Sequence, residues 1–131
     1  MKTLMDREHF EQLTESVFEA LPKALLDKVD NVLFVIEDWP DGETMKTMAL
    51  ESQFGLLGLY RGLPLAERSI DMSGTLPDEI LLYQGPIEFW ANEDGMKVFD
   101  VIYDTLLHEI GHHFGFDEEE LAALEQNGPT S

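Results

Sequence analysis

His108-Glu109-Ile110-Gly111-His112-His113-Phe114-Gly115 holds three of the four histidines of a 131-residue chain. Its first five residues spell H-E-x-x-H, a spacing in which each fixed residue has its own chemical use. On a helix, positions four apart lie one above the other, so His108 and His112 can present two imidazoles to a single Zn²⁺. Glu109, beside the first of them, points at the open coordination position and can take a proton from a water activated there. The pattern therefore requires a helix through this stretch, and the rest of the chain must pack around it.

Upstream, Phe99, Ile102, Tyr103, Leu106 and Ile110 recur at helical spacing. They predict one long helix from about Met96 to Phe114, with the histidines on the stripe beside its core face. Asn92-Glu93-Asp94-Gly95 offers the start of that helix and Gly115 its stop. Catalytic zinc usually takes three protein ligands, so the chain must turn back after His112, and Gly115 in a left-handed conformation permits the turn. Glu118 completes H-E-x-x-H-x-x-G-x-x-E and is favoured by spacing as the third ligand. Asp117 is the alternative, and Glu119 adjoins both; any one of them could instead cap a last acidic helix, Asp117 to Glu125.

Expectations for neighbouring residues follow from the same geometry. His113 lies about 100° around the helix from His112, so it is expected to support or pack rather than to share the ion. Asp104, one turn before His108, is expected as a solvated carboxylate, or else as the acceptor of a ligand's second N–H. A hydrolase benefits from a donor to the developing oxyanion, for which Tyr60, Tyr83 and Tyr103 are candidates, each equally readable as core.

Towards the N-terminus, Asp6 can cap a helix with Phe10, Leu13, Val17 and Leu21 on one face. Pro22 interrupts it, and a short helical piece from Lys23 to Lys28 follows. Asn31 to Asp38 predicts a buried strand, Leu56 to Arg61 a second and Asp78 to Gln84 a third, the last closed by Gly85-Pro86. Asp41 to Phe54 is expected as loop with some helix, Pro64 to Leu76 as irregular, and Ile87 to Trp90 as a short turn of helix. The polar tail 126–131 is expected to fray. Strands and helices mixed in this order give an α+β class.

At this length the chain is expected to form one domain, residues 1–131, and its 44% apolar content is ordinary for a folded protein. Absence of cysteine removes thiolate zinc sites and disulfides. A formal charge of −19 disfavours nucleic acid and suits a cationic peptide or a basic protein, although the same charge serves a solvated surface. No apolar run approaches the roughly 20 residues of a spanning helix, and the acidic start lacks a leader's apolar stretch, so no membrane contact and a cytoplasmic location are expected. Nothing in the sequence fixes an oligomeric state.

The site residues do not stand alone. Asn31-Val32-Leu33-Phe34-Val35-Ile36-Glu37-Asp38, Gly55 to Leu65 with Glu67-Arg68-Ser69, Leu76 to Ile80, and Tyr83-Gln84-Gly85-Pro86-Ile87-Glu88 precede the histidine run in order. Together they cover most of residues 6–125, and the chain resembles the small bacterial zincin-like metallopeptidase family, a minimal zincin fold. The resemblance implies a short mixed sheet with a helix under it and the metal helix on its face, and an edge strand that holds an extended peptide. It also implies His108 and His112 as zinc ligands, Glu109 as general base and an acidic third ligand after Gly115. Metzincins have histidine at that last position and a later methionine turn; this chain has a carboxylate there and no methionine after the motif. Two functions are expected from different classes. One is a zinc-dependent peptidase using a metal-activated water and Glu109; the other is a non-catalytic zincin-like module that binds a basic protein.

Overall fold

A computed structural model describes residues 4–29, 31–61 and 78–126. Helix α1 (Arg7–Ala20) begins at Asp6, which occupies the N-cap without a side-chain hydrogen bond. One turn, α2 (Lys23–Leu26), follows Pro22. Strand β1 (Val32–Glu37), helix α3 (Gly42–Thr47), a 3-10 turn at Gln53–Gly55 and strand β2 (Gly58–Arg61) come next. Beyond the stretch 62–77, which lies outside the described residues and includes the expected irregular segment, come β3 (Asp78–Tyr83), α4 (Gln84–Glu93), α5 (Val98–His113) and α6 (Glu118–Gln126).

The strands form a mixed sheet in the order β1-β3-β2. Val32 to Glu37 run parallel to Asp78 to Tyr83, whereas Gly58 to Arg61 run antiparallel to Leu82 to Glu79. This order corrects the expectation of a buried first strand. With β3 in the centre, β1 is an edge among the described residues, and Leu33 is 49% exposed. Alternation along β3 sends Ile80 and Leu82 into the helical core. They meet Phe10 and Val17 of α1, Ile87 and Ala91 of α4, and Ile102, Leu106 and Ile110 of α5 there.

Two expectations about α4 and α5 are also corrected. Gly85-Pro86 does not merely close the strand, because α4 begins at Gln84 and runs through it to Glu93. Proline in a first helical turn gives up an N–H that has no intrahelical acceptor, so it costs little there. Asn92-Glu93-Asp94-Gly95 is accordingly the end of α4 rather than the start of α5, whose N-cap is Lys97. Gly95 adopts φ +66°, and Met96 N–H donates to the Ala91 carbonyl at 2.9 Å. That loop-back is a Schellman closure, which requires a left-handed residue at its corner.

The core stripe of α5 is wider than its sequence spacing suggested. Ile102, Leu106 and Ile110 are buried as expected, joined by Val101, Leu107 and Gly111, while Phe99 and Tyr103 remain half-buried. A second Schellman closure ends α5. Gly115 has φ +88°, its N–H donates to the His112 carbonyl at 3.1 Å, and Phe116 N–H donates to the Gly111 carbonyl at 2.8 Å. Among the described residues no helix is long and apolar enough to cross a membrane.

Candidate metal centre

Residues 108–112 occupy the last turns of α5, and α6 folds back beside them. Two contacts set the position of α6. Asp117 Oδ1 accepts from Glu120 N–H at 2.8 Å, and Glu120 Oε1 accepts from Asp117 N–H at 3.0 Å. These reciprocal bonds form a capping box that satisfies two donors otherwise left over at a helix start. Further along α6, buried Leu121 lies directly over Gly111; a Cβ at Gly111 would stand 2.4 Å from Leu121 Cδ2. The two helices therefore approach closely only because the fourth residue of H-E-I-G-H lacks a side chain.

That approach brings the first residue of α6 to the histidines. Glu118 Oε2 lies 3.0 Å from His108 Nε2, and Oε1 lies 3.0 Å from His112 Nε2. Asp117, the alternative third ligand, spends its carboxylate on the cap. Sequence spacing alone left the two open, but Asp117-x-x-Glu120 is itself a capping-box pattern and marks the aspartate as the helix starter.

His108 Nδ1 is 2.7 Å from the Asp104 carbonyl oxygen. A carbonyl only accepts, so Nδ1 must carry the proton, and in neutral imidazole Nε2 is then a lone-pair donor. It is the backbone of Asp104 that orients the ring, not the carboxylate. Burial works to lower the His108 pKa, but the hydrogen bonds to Asp104 and Glu118 and the Glu118 charge outweigh it, and the net shift is upward. Glu118 shifts the other way: desolvation works to raise its pKa, but the hydrogen bonds and charges of both histidines together outweigh it, and the net shift is downward. No three or more His, Cys, Asp or Glu among the described residues stand in an arrangement that would hold a metal ion. Glu118 instead touches both imidazoles directly.

Glu109 points to the other side, towards the sheet. Its Oε1 accepts from the backbone N–H of Tyr60 at 3.1 Å. Leu57 pairs inward, its carbonyl accepting from Tyr83 N–H, so strand alternation turns the Tyr60 N–H away from β3 and towards α5. Burial raises the Glu109 pKa, against the Tyr60 N–H and the nearby His112 and His108, which lower it. Tyr60 is held in turn by its hydroxyl, which donates to Asp78 Oδ2 at 2.7 Å, and by a stacked contact with His113 at 3.8 Å. His113 thus packs against β2, in keeping with its position on the helix. Of the tyrosines, Tyr60 stands beside Glu109, whereas Tyr83 is buried and Tyr103 half-buried. Sequence carried no signal for the Tyr60–Glu109 bond, since it joins residues far apart in the chain.

A groove of about 330 Å³ opens at this point between residues 55–58 and Asp104, Thr105, His108 and Glu109. One wall is the approach to the edge strand and the other is the helix that carries the histidines.

Sheet order and helix placement define a small α+β protein in which a glutamate and two histidines meet at one end of α5. The chain belongs to the zincin-like metallopeptidase family, whose model matches residues 29–128. Among solved structures it is similar to a conserved hypothetical protein from Thermus thermophilus, at 29% identity over 90% of this chain and 98% of that one, with a TM-score of 0.54. None of the curated proteins matches it.

Proposed function

We propose that this protein is a zinc-dependent peptidase in which His108, His112 and Glu118 hold one Zn²⁺ and Glu109 is the general base. The observation that carries the reading is the Glu118 carboxylate set between the two Nε2 atoms, at 3.0 Å from each. Lone-pair nitrogens and an anionic carboxylate repel one another unless a proton or a cation compensates them, and this donor set suits zinc. Glu118 is at the surface, with 68% of its side chain exposed, so it can re-aim without disturbing the core. The ion, when bound, supplies Lewis-acid polarisation of a water and of the scissile carbonyl.

The chain's own residues supply the rest. The Asp104 carbonyl fixes the His108 tautomer, presenting Nε2 as the ligand atom. Tyr60 N–H holds one oxygen of Glu109 and leaves the other to take the water proton and return it to the leaving amine. Burial that raises the Glu109 pKa makes the carboxylate a stronger base and brings it nearer the operating pH, where one group can both take a proton and return it. β2, at the sheet edge and beside α5, is the strand along which an extended peptide would lie.

Metal content and cleavage of a diverse peptide library, measured for wild type and Glu109→Gln, test the reading. Both proteins are expected to bind one zinc per chain, with wild type cleaving and the variant slower by about 10²- to 10⁴-fold. A zinc-loaded wild type that cleaves nothing, or a protein that excludes zinc in excess metal, would overturn it.

A further inference from the structure

The groove beside Glu109 does not end at Asp104. It adjoins a second depression of about 270 Å³, and the two share Leu57, Asp104 and Thr105. The second continues to Asp94, Trp90 and Met96 at the α4–α5 corner. Trp90 and Met96 are 37% and 38% exposed, unusual for side chains of their size. The tryptophan is held in place, for its Nε1–H donates to the Phe54 carbonyl at 2.8 Å and its ring meets Phe89 edge-on at 5.0 Å. The indole is thus already ordered and partly facing solvent, so a ligand gains contact with it without the cost of fixing it.

Two carboxylates, Asp94 and Asp104, border this wall. Among the described residues neither makes an ion pair, and the cations with partners are engaged elsewhere: Arg7 with Asp38, Lys23 with Asp27, Arg61 with Glu79. Lys97, the nearest cation in sequence, pairs with neither of them. A lysine or arginine side chain fits these surroundings. Its aliphatic stem would lie on Leu57 and Met96, its head would meet the carboxylates, and the partly exposed indole would offer a cation–π contact.

We propose that this continuation is a subsite for a basic side chain, placed to one side of the bond cleaved at Glu109, so that the preferred ligand is a cationic peptide. The assignment rests on the peptidase reading for its role, but the binding it describes does not depend on turnover. Asp94 and Asp104 then act as specificity determinants, and Trp90 as the platform on which the basic side chain rests.

The test uses zinc-loaded Glu109→Gln and a fluorescent peptide set in which one position at a time is Arg, Gln or Glu. Anisotropy is expected to show tighter binding of Arg over Gln at one position. Adding Asp94→Asn and Asp104→Asn should cut that Arg/Gln ratio by about 3- to 10-fold, the effect of two partly exposed charge pairs. Trp90→Ala, added separately, should weaken Arg and Gln peptides together and Arg the more. Equal binding of Arg and Gln peptides at every position, or a ratio that the two Asn substitutions leave unchanged, would overturn the subsite. Wild-type cleavage of the same set separates the two readings. Cleavage without a basic preference removes the subsite and leaves the peptidase, whereas basic-selective binding with no cleavage removes the peptidase and leaves the subsite.

Discussion

The turns that flank α5, one ending α4 and the other ending α5 itself, are closed by the same backbone device and put to different uses. At Gly95 and at Gly115 a left-handed glycine reverses the chain, and the residue after it donates back to a carbonyl five positions earlier, Met96 to Ala91 and Phe116 to Gly111. Beyond Gly95 little is locked. Lys97 caps α5 without a side-chain bond, and Met96 stays exposed. Beyond Gly115 the Asp117–Glu120 box fixes the next helix and Leu121 seats it on Gly111. A ligand to an ion must be placed within a fraction of an ångström, whereas a side-chain subsite tolerates looser placement. The corner that carries Glu118 is the one built with extra restraint.

Substituting each glycine corner by alanine should break this symmetry most visibly. Either change forces a Cβ into a left-handed conformation and should cost about 1–2 kcal/mol of stability. Thermal melts with and without zinc then separate them: Gly115→Ala should also reduce the zinc-induced rise in Tm, because it moves Glu118, and Gly95→Ala should leave that rise intact. Equal losses of the zinc effect in both would mean that the Gly115 corner has no special part in metal binding.

A smaller effect comes from pH. Burial lowers the His108 pKa but its hydrogen bonds and the Glu118 charge raise it overall, while desolvation raises the Glu118 pKa but the two histidines together lower it overall. A raised histidine stabilises the fold below its unfolded value of about 6.5 and loses this as pH rises through the folded one. A depressed glutamate stabilises above about 4.3 and loses this as pH falls through its folded value. Both contributions coexist from about pH 4.3 to 6.5, so the share of metal-free stability that His108 and Glu118 supply should be greatest there. Glu118→Gln should flatten the profile; an unchanged profile in the variant would show that the cluster contributes nothing.

How far the sequence revealed these two corners differs for physical reasons. The α5 helix, its histidine spacing and the turn at Gly115 depend on local periodicity and on one residue's backbone freedom, and both are visible in a single chain. That Glu118 rather than Asp117 meets the histidines was also locally encoded, in Asp117-x-x-Glu120, where the aspartate caps the helix. The Gly95 corner was misassigned because Asn92-Glu93-Asp94-Gly95 suits a helix start as well as an end, and because Pro86 looked like a stop when it stood in a first turn. Leu33 looked buried because apolar content does not say which strand lies at the edge. The Tyr60–Glu109 bond arises only when β2 meets α5, and the groove past Asp104 only when Leu57 meets the α4–α5 corner; no window of sequence contains either pair. Gln126 ends α6, and the rest of the expected tail lies outside the described residues.

The most direct test of the account is a zinc titration by calorimetry on wild type, Glu118→Ala and Asp117→Ala. Contacts that merely orient a ligand are worth about 10- to 100-fold in metal affinity, so removing the ligand itself should cost at least about 100-fold. Wild type should bind one zinc per chain, Glu118→Ala should lose at least that factor, and Asp117→Ala should lose less while giving up about 1 kcal/mol of stability with its cap. Wild-type affinity in Glu118→Ala, or a greater loss in Asp117→Ala, would contradict it.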